Sequence, residues 1–166
     1  MEQELENDAR FQIRIFQQPK LENHVIDKIL EQVRSRSPKM QCHVILVGGN
    51  NLRWHDESVD TYISKCASLV QKFRDFPNAK LIFVSLIPSP KSHHICANTF
   101  DLVNDKLQIL AAQNQAFTSF LNVNVIFLPN GRINHAMFCG DNIHLTRDGT
   151  HNIALAISAH VKSSEF

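Results

Sequence analysis

At 166 residues, with 43% hydrophobic and 20% charged side chains, the chain is long enough to bury one core without staples and too apolar for a disordered segment. Its 17 Lys plus Arg against 16 Asp plus Glu give a formal net charge of +1, which excludes a global field steering it to nucleic acid or an anionic membrane. The acidic, polar N-terminus lacks the basic and apolar regions of a secretion signal, and no apolar run reaches transmembrane length, so a soluble, cytoplasmic chain is expected. Cys42, Cys66, Cys96 and Cys139 are scattered without paired spacing and are expected as reduced thiols.

Residues 1–11 read as a polar segment and 12–163 as one domain. A short β-rich run at 12–16 is followed by Leu21, Val25, Ile26, Ile29, Leu30 and Val33, an apolar stripe at helical spacing. After the breaker at 35–39 comes the nearly continuous apolar run 43–47, of strand length, ending at Gly48 and Gly49. Val59, Tyr62, Ile63, Cys66, Leu69, Val70 and Phe73 predict a second amphipathic helix, with Asp56 or Ser58 as its N-cap. A buried strand is predicted at 80–87, stopped by Pro88 and Pro90, and Leu102, Val103, Leu107, Leu110, Phe117 and Leu121 outline a long third helix. The run 123–128 reads as the last strand, and Thr146 as the cap of a final helix carrying Ile153, Ala154, Ile157 and Val161.

Strands alternating with crossovers of helical length argue for an α/β fold, a three-layer α/β/α sandwich with a flavodoxin-like parallel sheet. Ligands of such sheets sit beyond the carboxyl ends of the strands, where residues 48–51, 88–94 and the final loop all fall.

In that last loop Asp141 stands three residues before His144. A carboxylate at this spacing can fix the imidazole tautomer and leave the other ring nitrogen as a general base. Gly140 is expected to turn the backbone before Asp141, Ile143 to anchor the loop, and Thr146 with Gly149 to start the next helix. A second pair, Asp148 and His151, falls inside that helix and reads as a solvated surface pair. Gly48, Gly49 and Asn50 end a strand, so the backbone there can approach a ligand and the Asn50 carboxamide can donate to a developing oxyanion.

Taken in this order, the two motifs resemble the SGNH (GDSL-like) hydrolases. The run Val-Ile-Leu-Val-Gly-Gly-Asn-Asn is similar to that family's strand followed by Gly-x-Asn-Asp, with Asn50 at the oxyanion asparagine and Asn51 where the family has Asp. Residues 140–149 resemble its last block, with Asp141 and His144 in the triad positions. The resemblance covers about residues 12–161 and implies carboxylic ester hydrolysis, a small-molecule ester as substrate, and no cofactor or metal. What is missing is the family's first strand ending in Gly-Asp-Ser, whose serine is the nucleophile: no serine precedes Ser35. Either the parent carries that strand upstream or the chain has lost it. Without it, the family's second and third strands must pair directly or a strand must come from elsewhere, because residues 1–10 are too polar for the place.

As the chain stands, little or no esterase activity is expected. Ser85, Ser89 and Cys139 are the remaining candidate nucleophiles, Ser85 reading better as a core residue. His93, His94, Cys96, His135 and Cys139 offer soft ligands, but none of their spacings makes a metal knuckle. The alternative is a non-catalytic SGNH-like module that binds RNA or protein, for which Arg34, Arg36 and Lys39 are the candidate basic cluster. Oligomeric state is not legible from the chain.

Overall fold

A computed structural model describes residues 13–16, 21–36, 41–45, 49–54 and 57–164. In chain order these form β1 (Ile13–Phe16), α1 (Asn23–Arg36), β2 (Gln41–Ile45), α2 (Gly49–Trp54), α3 (Val59–Phe73), β3 (Ala79–Val84), α4 (His93–Gln113), β4 (Thr118–Leu121), α5 (Asn124–Phe127) and α6 (Arg147–Ser163). Two short 3-10 turns, Pro129–Gly131 and His135–Met137, lie in the loop before α6. The polar segment 1–11 lies outside the described residues.

All four strands run parallel in the order β1-β2-β3-β4. β1 pairs directly with β2, Ile13 opposite Cys42 through Phe16 opposite Ile45. The two strands joined by α1 are therefore direct neighbours, which satisfies the ladder groups on that side of β2. The reversal of strand order that marks a flavodoxin sheet does not occur within these four strands.

This sequential order decides which face each helix covers. Three successive crossovers of one hand, each stepping one strand in the same direction, put α1, α3 and α4 on the same side of the sheet. Strand residues then divide by the period of two. Ile45, Leu81 and Phe83 join the core built with Val25, Ile29, Leu69, Phe73, Phe100 and Leu107. Cys42, Val44, Ile82 and Val84 face the opposite way, under Phe127, Phe138, Ile153, Ile157 and Val161. The third layer is thus made by α5, α6 and the loop between them, all after the last strand.

Two stretches depart from the sequence pattern: residues 49–54 form α2, for which the pattern predicts no helix, and the boundary between α4 and the last strand lies earlier in the chain. The run 123–128 is not the last strand. That strand is β4, Thr118–Leu121, and Val123 and Phe127 are buried four residues apart with Val125 72% exposed, which is helical spacing. Nor does α4 reach Leu121. It ends at Gln113, where Asn114 donates its backbone N–H to Ala111 O and its Nδ2 to Leu110 O, and the side-chain bond competes with continuing the helix. Ser58, not Asp56, is the α3 cap, accepting the Thr61 N–H at 3.1 Å; Asp56 lies outside the described residues.

Candidate active site

The loop between the His135–Met137 turn and α6 is closed by backbone bonds before any side chain acts. Phe138 and Leu145 form an antiparallel bridge, Cys139 N donates to His144 O at 2.7 Å, and Thr146 N donates to Met137 O at 2.9 Å. Thr146 then caps α6, its Oγ1 accepting the Gly149 N–H at 3.1 Å. Gly149 is required for a reason that its role as a helix-start signal did not contain: a Cβ there would stand 2.4 Å from Met137 O. Gly140 does stand in the turn before Asp141, which Asn142 N closes by donating to Cys139 O at 2.9 Å, but that turn does not require a glycine. A Cβ on Gly140 would meet nothing within 4 Å, and the left-handed residue is Asn142, at φ 58°.

Within this frame Asp141 spends both carboxylate oxygens on His144 and its neighbour. Oδ1 accepts the backbone N–H of Ile143 at 2.9 Å and of His144 at 3.0 Å, and Oδ2 lies 2.5 Å from His144 Nδ1. The imidazole bond first, and the two backbone donors after it, hold the Asp141 carboxyl well below the usual carboxylate range, so it is ionised at neutral pH. An ionised Asp141 places the ring proton on Nδ1 and leaves Nε2 on the opposite edge of the ring, in a side chain 78% exposed. This is the orientation a general base needs. Asp148 and His151, by contrast, are exposed on α6 with no bond between them.

A cavity of about 380 Å³ opens beside Asp141, with Pro90, Lys91, His135, Asp141 and Asn142 in its described lining. Lys91 N donates to Asn142 O at 3.1 Å, which ties the loop leaving β3 to the dyad loop. Lys91 belongs to the 88–94 segment and His135 to the final loop, both expected at this edge, and the structure adds that they wall one cavity with Asp141.

The oxyanion candidates are less completely placed. Gly49 and Asn50 open α2 at the carboxyl end of β2; Gly48 and the Asn50 side chain lie outside what is described. A Cβ on Gly49 would sit 3.8 Å from the Phe100 ring, an ordinary contact, so packing does not itself demand glycine there. Asn51, 1% exposed, turns inward: its Oδ1 accepts the Leu21 N–H at 3.0 Å, and its Nδ2 donates to Leu21 O and to the Glu57 carboxylate. Glu57 in turn pairs with Lys65 at 2.6 Å. Asn104 does the same for the loop leaving β3, accepting from Leu86 N at 2.7 Å and donating to Leu86 O at 3.2 Å. A buried asparagine on the apolar stripe of α4, beside Val103 and Leu107, is the sequence signal that would have found it.

None of the alternative nucleophiles faces His144. Ser85 is fully buried with its Oγ accepting the Val123 N–H, Ser89 is buried against Ser92 Oγ at 2.8 Å, and the exposed Cys139 thiol donates to Leu145 O at 3.2 Å. Among the described residues no hydroxyl or thiol is hydrogen-bonded to His144 Nε2. The cysteines are free, and burial pushes the Cys42 and Cys66 thiols up to about 12. Cys96 is buried in the core on α4, the helix whose first turn carries His93 and His94, and the described residues contain no group of three His, Cys, Asp or Glu suited to a metal ion. Of the basic cluster, Arg34 lies over the Phe76 ring at 6.0 Å; the Arg36 side chain and Lys39 lie outside the described residues. No helix among the described residues is long and apolar enough to cross a membrane.

No protein-family profile matches the chain, and no curated protein matches it by sequence. Solved structures do match it by fold. A mutant of an acetyl-xylooligosaccharide esterase from Geobacillus Stearmophilus is similar with a TM-score of 0.64 and 15% identity, over 88% of this chain and 69% of that one. A carbohydrate esterase family 3 protein from Talaromyces cellulolyticus gives 0.63 and 19%, over 85% and 63%, and the OSK domain of Drosophila Oskar gives 0.60 and 10%, over 85% and 70%. The chain therefore has an SGNH hydrolase-like α/β fold and spans about two thirds of the length of these proteins.

Proposed function

We propose that this chain is an esterase-type domain that keeps the acid–base half of a serine triad and forms no serine acyl-enzyme. The observation that carries the reading is the Asp141 Oδ2 to His144 Nδ1 bond at 2.5 Å, in a loop whose other end caps α6. A structural carboxylate would have no need of that bond, since the two backbone donors on Oδ1 already close the turn. The neighbours' names add carbohydrate esterases to the argument, which makes acetylated oligosaccharides and short acyl esters the substrates to offer. Gly49 and Asn50 open α2 at the same sheet edge and are assigned to substrate, with Asn50 as the oxyanion donor.

Covalent labelling tests it. The full chain is incubated with a serine-directed fluorophosphonate and, separately, with p-nitrophenyl acetate, and intact mass is read for the wild type and His144→Ala. The expected result is no adduct on any serine that depends on His144. A stoichiometric, His144-dependent serine adduct would overturn the proposal.

A further inference from the structure

We propose that the Asp141–His144 dyad activates water directly, so that an activated acyl group resting against the dyad is hydrolysed with no covalent intermediate. The inference rests on the reading of these two residues as the reactive centre and adds to it what the base acts upon.

Four observations converge. The ionised Asp141 accepts a hydrogen bond from Nδ1–H, a tautomer that leaves the ring's lone pair on Nε2. In a serine triad that nitrogen is occupied by the hydroxyl; here it has no described partner and belongs to a side chain 78% exposed, so the group within reach is solvent. The backbone under the ring is fixed by the Cys139 N to His144 O bond and the Phe138 to Leu145 bridge, and the ring itself by Asp141 Oδ2, which limits the ordering needed at reaction. Finally, the cavity of about 380 Å³ against Asp141 gives an acyl group room, and Lys91 on its wall supplies a cation for charge developing on the carbonyl oxygen. No carboxylate among the described residues is paired with Lys91.

The step balances without a cofactor. As the water oxygen bonds to the carbonyl carbon, Nε2 takes a water proton and the carbonyl π pair moves onto oxygen. The tetrahedral species then re-forms C=O and expels the alkoxide, which takes the proton back from Nε2. An acid and an alcohol leave, and Asp141 stays ionised throughout. General-base assistance of this kind is worth on the order of 10²-fold, far below a complete triad.

Ethyl difluoroacetate is the probe, because its ethoxide leaves too poorly for imidazole to displace it, and only the base route remains to histidine. Acid release by the full chain is followed at pH 8 by titration. His144→Gln is expected to lose all rate above buffer, Asp141→Asn to lose on the order of tenfold, and His151→Ala to change nothing. Deuterium oxide is expected to slow the reaction roughly twofold, as proton transfer in the rate-limiting step requires. Unfolding midpoints of the variants show whether each is folded. A rate that survives His144→Gln in a folded chain, or a His144-dependent rate without an isotope effect, overturns this inference and leaves the absence of a serine acyl-enzyme standing. A serine adduct in the labelling experiment overturns that earlier reading instead.

Discussion

Asn51 pairs with Leu21 as one strand residue pairs with another: its Oδ1 accepts the Leu21 N–H at 3.0 Å and its Nδ2 donates to the Leu21 carbonyl at 3.4 Å. The contact joins the start of α2 to the segment entering α1, thirty residues earlier in the chain. It leaves Asn51 no freedom to face a substrate, although it follows the residue assigned to the oxyanion.

Replacing either amide clamp is expected to destabilise the fold. Asn51→Leu and Asn104→Leu each strand a buried N–H and C=O, at a cost of about 1–3 kcal/mol apiece, read as a lower urea midpoint with unchanged slope. Asn51→Asp should be worse than Asn51→Leu, because it replaces the donor to Leu21 O and to Glu57 with a second carboxylate. A wild-type midpoint for Asn51→Leu would contradict the assignment.

Two glycines of the dyad loop should respond differently. Gly149→Ala puts a Cβ 2.4 Å from Met137 O, a backbone atom that cannot give way cheaply, and is expected to cost about 1–3 kcal/mol and loosen the loop. Gly140→Ala meets nothing within 4 Å at a φ open to alanine, and should be neutral or slightly stabilising. Thermal unfolding and amide exchange at His144 separate the two outcomes.

Acid should weaken the dyad loop in a defined window. Asp141 titrates below its ordinary value of 3.8, so its contribution is complete above that pH and is lost as pH falls through the depressed folded value. The Asp141 carboxyl resonance is expected to titrate well below the ordinary carboxylate range. Asp141→Asn should flatten this part of the stability profile. A carboxyl titrating at the ordinary value would show that the imidazole bond is not formed in solution.

A second pH effect belongs to the opposite end of α6. His160 Nε2 and Ser119 Oγ lie 2.9 Å apart, and burial lowers the His160 value below its ordinary 6.5. The unfolded chain then binds the proton first, so stability is full above 6.5 and falls as pH drops toward the folded value. Imidazole resonances of His160 should titrate below the ordinary 6.5, and His160→Gln should remove this segment of the pH dependence. A His160 titrating at or above the ordinary 6.5 would contradict the burial argument.

Much of the architecture is legible from the chain because burial imposes periodicity. The doubly buried strands read as apolar runs, α1, α3 and α6 as stripes at helical spacing, and the loop holding Asp141 and His144 as a local motif complete within four residues. The mistaken strand at 123–128 shows the limit: Val123 and Phe127 are apolar in either conformation, and the choice falls to Asn122, whose Oδ1 takes the Asn124 N–H, and to the preceding Thr118–Leu121 run pairing with β3.

Residues far apart in sequence were decided by packing alone. That β1 lies against β2 follows from hydrogen-bonding groups on a strand edge needing partners, and that need carries no sequence label. The inward turn of Asn51, the closeness of Lys91 to Asn142 and the demand for glycine at 149 all come from contacts across elements, where short-range pattern holds no information. The acid–base pair was written in four consecutive residues; what surrounds its free nitrogen is a property of the fold.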